Sequence, residues 1–289
     1  MRKFPGILAI MLLTAGCSGN RIKPEEYPIA FEASFSMGTQ LDARSKAPVT
    51  GLDNLGTVYI CRADGTVVDY SVLNQPTLYG TVQSDGTIAP SLLQYYQSDG
   101  TPANFISYRP QAYSMSNGIV NFRITGQEDI MSGVCWYSGN AQSPVTVTFN
   151  FSHLLTQLDF EVIAESQAAA DAWGSITYIK VSTPTSLDLD LNSNLLAANA
   201  TPLEQYLPSS IGQNASIPIT TTMSTAGQVM ILPRSAQLMV KIKTSNSDEL
   251  TVPTSLWYLA PGNIHKITLT FKRNATGIPI TATLSGWPE

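Results

Sequence analysis

Two segments near the ends of the chain alternate apolar and polar or small residues in the same way. In the first, the apolar positions are Ile29, Phe31, Ala33 and Phe35. In the second, they are Ile278, Ile280, Ala282 and Leu284. Alternation with a period of two predicts a β-strand with one buried face. We therefore predict a half-buried strand at each end of the chain, each with four apolar side chains on one face.

The chain between these two segments predicts many short strands separated by turns. A hairpin turn is predicted at 63–66, leading into a strand over 67–72. A second is predicted at 260–263, joining strands over 256–259 and 264–271. The segment 164–172, rich in Ala with Gln and Glu, favours one or two turns of helix. Further strands are predicted at 56–61, 105–108, 119–124, 133–137, 145–151, 158–163, 176–181, 187–191, 217–221, 229–232 and 238–243.

This pattern predicts an all-β fold of two β-sandwich domains in series. Long helical periodicity is absent, which argues against an α/β doubly wound fold. The sequence Ser-Gly-Asn-Ala-Gln-Ser-Pro at 138–144 is the best linker candidate, because small and polar residues with proline favour exposed connections. The N-terminal domain is therefore predicted over 28–143 and the C-terminal domain over 144–289, with a polar tether at 18–27.

The first residues form a targeting segment. Arg2 and Lys3 precede an apolar run over 6–15, which is too short to span a bilayer. The run ends in Leu-Thr-Ala-Gly-Cys at 13–17, which resembles the bacterial lipobox. We therefore predict a lipoprotein signal peptide over 1–17, with a lipid such as palmitate attached to Cys17. The alternative is an ordinary secretory signal that contains a chance cysteine.

Composition limits the class of function. The chain has 289 residues, of which 43% are hydrophobic and 13% are charged, so it can build a substantial core. Its net charge of −5 and pI of about 5.1 argue against a nucleic-acid partner. In an exported protein, Cys61 and Cys135 form either a disulfide or two separately buried thiols, and their spacing fits no metal motif.

The candidates for catalysis and ligand binding have simpler structural interpretations. His153, next to Ser152, and His265, which shares a strand face with apolar residues, are interpreted as structural histidines. Calcium binding by Asp188, Asp190 and Asn192 stays an alternative to a solvated strand face. A sugar platform stays an alternative to scattered core and rim positions for four tyrosines, which are Tyr95, Tyr96, Tyr108 and Tyr113. We predict no enzyme activity, cofactor or metal.

Four segments together resemble the fimbrillin-like proteins of Bacteroidales in their order and spacing. The first is VTVTFNFSHLLTQL at 145–158, and the second is Trp173 followed by ITYI at 176–179. The third is YLAPGN at 258–263 before ITLTF at 267–271, and the last is ITATLSGW at 280–287. The resemblance extends from Cys17 to Trp287 and is strongest after Val145.

The resemblance implies a subunit of a type V pilus at the cell surface, built from two transthyretin-like β-sandwich domains and supporting adhesion. Such subunits are exported as lipoproteins to the outer membrane, an arginine-specific protease removes their first strand, and they polymerise by strand exchange. Carried onto this chain, Cys17 is the lipid site and Arg44 the first choice for cleavage. Arg21 is the second choice, since it precedes the first strand and a cut there would leave that strand in place.

In this hypothesis, the strand that contains Phe31 is released, and another copy supplies its strand containing Ile280 as the replacement. A β-sandwich without one strand exposes unpaired backbone groups and an apolar trough, which recruit another strand. Two alternatives stay open. Both terminal strands pair within one finished monomer, or the chain is a surface lipoprotein that binds glycans or host molecules and does not polymerise.

Overall fold

The computed structural model describes a chain that is nearly all β. The described residues are 27–35, 51–135, 139–207, 216–273 and 280–286. For 205–207 and 280–286, the description covers the backbone alone. The predicted all-β class is confirmed.

The described elements alternate short strands with turns. The strands up to residue 153 are β1 Phe31–Phe35, β2 Thr57–Asp64, β3 Leu78–Val82, β4 Ile88–Pro90, β5 Ala103–Arg109, β6 Ser114–Ser116, β7 Ile119–Arg123, β8 Met131–Val134 and β9 Val147–His153. The later strands are β10 Thr156–Ala164, β11 Ser175–Thr183, β12 Ser186–Asp190, β13 Leu195–Ala198, β14 Leu203–Leu207, β15 Ile217–Pro218, β16 Ser224–Ile231, β17 Met239–Thr244, β18 Ser247–Pro253, β19 Asn263–Phe271 and β20 Ile280–Gly286. The helices are α1 Leu52–Leu55 and α2 Gln167–Trp173.

The first strands form one seven-stranded sheet in the order β1-β9-β8-β5-β2-β3-β4. β1 runs parallel to β9, while the other neighbours in the sheet are antiparallel. Single bridges connect β1 and the residues before it to the chain on both sides of β4: Glu32 pairs with Thr87 before β4, and Pro28 pairs with Tyr95 after it. β1 therefore closes the sheet between its two ends.

Both faces of this sheet are buried, because alternate residues of its central strands enter two different cores. In β2, Val58 and Ile60 face the core that contains β1, while Cys61 and Ala63 face a second core. The second core is completed by the sheet β13-β12-β7-β6 and includes Phe122. Such two-sided burial explains why four consecutive residues of β5, from Phe105 to Tyr108, are buried rather than every second one.

Two further sheets pack face to face around a third core. Their orders are β16-β10-β19-β20 and β14-β11-β17-β18, with β15 added beside β11. Phe160 from β10, Ile179 from β11 and Phe271 from β19 are fully buried between them. Helix α2 covers one end of this core, where Trp173 contacts Phe271 edge-to-face with ring centroids 5.4 Å apart. This arrangement is a β-sandwich.

Both predicted local hairpins are wrong. Residues 67–72 form no strand, and Val67 and Val72 are largely exposed. β2 instead pairs with β3 and β5, which are farther along the chain. Residues 256–259 do not pair with β19; Leu259 forms a bridge with Arg234, and β19 lies between β10 and β20. Distant strands already occupy both sides of β2 and of β19, which leaves no free edge for either local hairpin. The predicted helix, by contrast, is confirmed as α2.

The segment predicted as a linker contributes to a core. Ala141 is 6% exposed and packs in the same cluster as Phe31, and Gly139 forms a bridge with Ala103. β9, which follows this segment, pairs with β8 and β1. The division into two domains, over 28–143 and 144–289, stays a prediction.

None of the helices in the described part of the chain combines the length and the apolar character needed to cross a bilayer.

Candidate functional site

One side of β1 is held by β9. The two strands run parallel, with Phe31 opposite Val147 and Phe35 opposite Phe151. Just before the strand, the Ala30 carbonyl accepts a hydrogen bond from the Val147 N–H at 2.9 Å. β9 thus supplies one complete wall for the strand.

The other side of β1 is held by the chain around β4. The Ile29 N–H donates to the Gln94 carbonyl at 2.9 Å, and the Ala33 N–H donates to the Gly86 carbonyl at 2.8 Å. The backbones approach closely here, because a Cβ added to Gly86 would lie 2.9 Å from the Ala33 oxygen. Gly86 also has φ +88°, in the left-handed region that favours glycine. β1 is therefore hydrogen-bonded on both sides, unlike a strand at a sheet edge.

The inward side chains of β1 are an integral part of the core. Phe31 is 2% exposed and makes an edge-to-face contact with Phe105, with ring centroids 5.2 Å apart. It also stacks on Phe149 at 6.0 Å. Ile29 and Ala33 are buried in the same cluster, and Phe35 packs against it in a partly buried position. The predicted alternation of the first strand is confirmed.

Removing β1 would open a slot in the closed sheet. We name this space, between β9 and the chain at 86–96, the β1 slot. The floor of this slot would be apolar, because the rings of Phe105 and Phe149 would lose their contacts with Phe31 and become exposed. Each fully buried side chain of the lost strand contributes about 1.5–3 kcal/mol by burial alone. Unpaired backbone groups on both walls would add a strong tendency to bind another strand.

The C-terminal strand β20 is also seated within this chain, but at a sheet edge. Its backbone pairs antiparallel with β19, from Ile280 opposite Leu269 to Gly286 opposite Asn263. It has no partner on its other side in the described sheet. Of the four predicted donor positions, Ile280, Ala282 and Leu284 lie on β20, while Ile278 lies outside the described residues. In this conformation, both terminal strands pair intramolecularly.

His265 lies on β19, in register between Leu158 of β10 and Leu284 of β20. Its side chain is 4% exposed, and neither ring nitrogen has a hydrogen-bond partner among the described residues. Burial lowers the pKa of His265, because the charged imidazolium would lose its hydration. His265 is therefore buried on the strand face that it shares with Ile267.

We expect this histidine to make the stability of the chain depend on pH. Because its pKa is lower in the folded state, the unfolded state binds more protons below the ordinary pKa of about 6.5. The stabilisation is complete above that pKa and decreases as pH falls below it. The melting temperature should fall less between about pH 7.5 and pH 5.5 in His265→Leu than in the unaltered chain. An equal fall in both proteins would contradict this assignment.

The other candidate side chains have structural roles. His153 is 8% exposed, and its Nδ1 lies 3.0 Å from Asp129 Oδ1 in a buried pair that does not involve Ser152. Asp188 accepts hydrogen bonds from the side-chain amides of Asn121 and Asn199, at 2.7 and 2.8 Å. No cluster of three metal-binding side chains occurs within the described ranges.

The tyrosines and cysteines do not form a common site either. Tyr96 and Tyr108 are buried in two different cores, whereas Tyr113 is 60% exposed and stacks under Arg123. Cys61 and Cys135 are not joined in a disulfide. Cys61 is buried, which raises its pKa to about 12 and keeps the thiol protonated and unreactive.

The predicted lipid site Cys17 and the two predicted cleavage sites, Arg44 and Arg21, lie outside the described residues. Sequence reasoning missed the second wall of the β1 slot, because the segment that contains Gly86 and Gln94 is polar and rich in turn residues. The alternation of β3, which is buried at every second residue, was the available signal.

The chain matches known proteins over most of its length. A family model described as fimbrillin-like matches residues 47–287. Among curated proteins, the "Putative fimbrium subunit Fim1C" of Bacteroides uniformis is 27% identical over 185 residues. That alignment covers 61% of this chain and 59% of the relative. The chain thus matches somewhat less than two thirds of that relative's length.

Solved structures share the fold. A "putative cell adhesion protein" of Bacteroides uniformis superposes with a TM-score of 0.61 at 16% identity, covering 90% of this chain and 99% of the other. A fimbrial protein of Bacteroides vulgatus gives a TM-score of 0.55 at 14% identity, with coverage of 90% and 99%. At these identities, the likeness establishes a common architecture.

Proposed function

This chain belongs to the fimbrillin-like family, and from this premise we propose that it is a structural subunit of a cell-surface pilus that polymerises by strand exchange. Cleavage removes the first strand, and the C-terminal strand of a second copy then occupies the β1 slot. The role is mechanical and adhesive rather than catalytic. Its partners are other pilus subunits, the processing protease and, through a lipid, the outer membrane.

The observation that carries this proposal is the position of β1. The strand is buried in a core and hydrogen-bonded on both sides, yet it is joined to the rest of the fold only through residues 36–50. Arg44 lies in that connection. One cut there leaves β1 attached to the domain by non-covalent contacts alone. The strand can then be exchanged without breaking any other connection of the sheet.

A difference in pairing gives strand exchange a direction. In its own chain, β20 has one neighbouring strand, β19, and forms a sheet edge. In the β1 slot, the same segment would be paired on both sides and would bury one face in an aromatic core. Transfer therefore replaces backbone pairing on one side of the segment with pairing on both sides.

Export as a lipoprotein completes the proposal. The apolar run at 6–15 and the lipobox-like sequence ending at Cys17 would bring the precursor to the outer membrane, where the lipid holds it until cleavage. A cut after Arg44 releases the lipid and the first strand together. A cut after Arg21 would release the lipid alone.

We expect an arginine-specific protease to convert the purified precursor into polymers. Cleavage near Arg44 should yield ladders that resist SDS at room temperature. Arg44→Gln should abolish both the cut and the ladders, whereas the matched variant Arg21→Gln should leave both unchanged. Mass spectrometry of protein taken from cells would identify the cut and the lipid on Cys17 in one measurement.

Two outcomes would overturn the proposal. One is a precursor that is cut after Arg44 and stays monomeric even at high concentration, which would favour a surface lipoprotein that binds glycans or host molecules. The other is an Arg44→Gln variant that still forms ladders, because β1 would then not need to leave.

A further inference from the structure

We propose that the incoming strand enters the β1 slot parallel to β9, with Ile278 at the position of Ile29 and Leu284 at that of Phe35. This inference rests on the proposed function, and it adds the direction and register of the contact between copies. It follows from comparing the four inward positions of the slot with the four apolar positions of the C-terminal segment. In chain order, the slot holds Ile, Phe, Ala and Phe, and the donor offers Ile, Ile, Ala and Leu.

The two central positions of the slot decide between the possible alignments. Phe31 fills a large space between two aromatic rings, and Ala33 is a buried alanine in a close-packed core. Parallel entry in the proposed register places Ile280 in the large space and Ala282 in the small one. Every inward position then receives a side chain of suitable size.

The other alignments place side chains of the wrong size at these positions. Reversing the strand over the same four positions puts Ala282 in the space of Phe31 and Ile280 in that of Ala33. A shift of two residues in either direction puts Leu284 or Ile280 at Ala33. A reversed strand that keeps Ala282 at Ala33 brings Gly286 to the buried position of Ile29. Cavities and overpacking both destabilise a core, so these alignments are disfavoured.

Pro279 independently supports the same direction. In the proposed register it takes the place of Ala30, which lies just before the first residue of β1. Ala30 uses its carbonyl to accept from Val147, while its N–H donates no backbone hydrogen bond among the described residues. A proline at this position therefore loses no backbone hydrogen bond. Reversed over the same positions, Pro279 would replace Ser34 inside the ladder between β1 and β9, where a missing N–H is unfavourable.

The outward positions suggest a direct test of the register. Thr283 of the donor would replace Ser34, which pairs with Asn150 of β9. In the same ladder, Glu32 pairs with Thr148, and Thr146 is the next outward residue of the chain before β9. Among the alignments compared above, a cysteine at Thr283 would therefore lie opposite Asn150 of the acceptor in the proposed alignment alone. Disulfides form only when the Cα atoms are within about 7 Å, so cross-linking reports the register.

The experiment mixes a full-length Thr283→Cys chain with one of three full-length acceptor chains, Thr146→Cys, Thr148→Cys or Asn150→Cys. Each mixture is cleaved with the arginine-specific protease, oxidised, boiled in SDS without reductant and analysed on a gel. A mixture of the donor chain with the unaltered acceptor chain measures the background cross-linking through Cys61 and Cys135. We expect several-fold more covalent dimer with Asn150→Cys than with either of the other two acceptors. Adding reductant should remove this dimer.

Each other outcome overturns the inference. Dominant cross-linking to Thr146→Cys would indicate a strand reversed over the same four positions. Dominant cross-linking to Thr148→Cys would indicate either a parallel strand shifted by two residues or a reversed strand that keeps Ala282 at Ala33. If no acceptor variant forms a cross-link but the unaltered chain forms ladders after cleavage, the proposed register is wrong and the proposed function stands. If the unaltered chain forms no ladders after cleavage, the proposed function fails and this inference fails with it.

Discussion

Replacing Phe31 with alanine is expected to lower the free energy of unfolding of the uncleaved chain by about 3–5 kcal/mol. Phe31 is 2% exposed and packs against Phe105 and Phe149, so its removal leaves a cavity between two rings in the middle of the sheet. Denaturant unfolding, followed by tryptophan fluorescence and circular dichroism, would measure the change. Glu32→Ala is the matched control, because Glu32 is exposed on the same strand and its loss should change stability by at most about 0.5 kcal/mol.

The same substitution should have no effect on assembled fibres. If cleavage removes β1, the residue at position 31 is absent from the polymer, so fibres made from Phe31→Ala and from unaltered precursor should melt at the same temperature. Phe149→Ala would weaken both forms, because the floor of the β1 slot remains in the fibre. Fibres weakened by Phe31→Ala would contradict release of the first strand.

The terminal strands were predictable because each carries its own signal. An alternation such as that of β1 buries one face wherever the strand pairs, so no knowledge of its partners was needed. The helix α2 was predictable for a similar reason, since its composition favours helix and Ser166 caps it by accepting a hydrogen bond from the Ala169 N–H.

The pairing partners were not predictable from local patterns. Val67 and Val72 follow a good turn sequence, but they are exposed, because β2 already has neighbours on both sides in β3 and β5. For the same reason, the sequence did not predict that β1 pairs with either wall of the β1 slot. β9 is a clear strand, yet nothing in its residues indicates that it pairs with β1, which lies more than a hundred positions earlier in the chain.

Composition alone does not reveal that part of the segment predicted as a linker is buried. Residues 138–144 are small and polar, as linkers are, but small residues also suit tight packing beside a sheet. Gly139 lies so close to Tyr96 that an added Cβ would be 2.4 Å from the hydroxyl oxygen. The described residues of this segment, from Gly139 onward, therefore pack against the core that contains Tyr96.

A chain in which both terminal strands pair intramolecularly can still form a polymer, because the two strands lie in different environments. On the proposed function, β1 is removed by a cut in the connection that contains Arg44, whereas β20 need only leave a sheet edge. An uncleaved precursor would then have no open slot and would not polymerise before processing. A subunit of this design would be stored as a monomer and activated by proteolysis.

Replacing Ile280 and Leu284 together with aspartate is expected to abolish polymer formation after cleavage. In the β1 slot these two positions would face the aromatic floor, and the loss of two apolar side chains removes about 3–6 kcal/mol of burial. Two buried unpaired carboxylates add a further penalty. The affinity between copies should fall at least about 100-fold. Thr281→Asp with Thr283→Asp is the matched control, because these positions alternate with the apolar ones and should keep the ladders.

Mixing distinguishes a defective donor from a misfolded chain. The aspartate variant keeps an intact β1 slot, so after cleavage it should accept a strand from an unaltered subunit and offer none in return. Added in increasing proportion to unaltered chain, it should shorten the SDS-resistant ladders step by step, as a chain terminator does. A misfolded variant would leave the ladders of the unaltered chain at full length, and ladders formed by the variant alone would show that another segment is the donor.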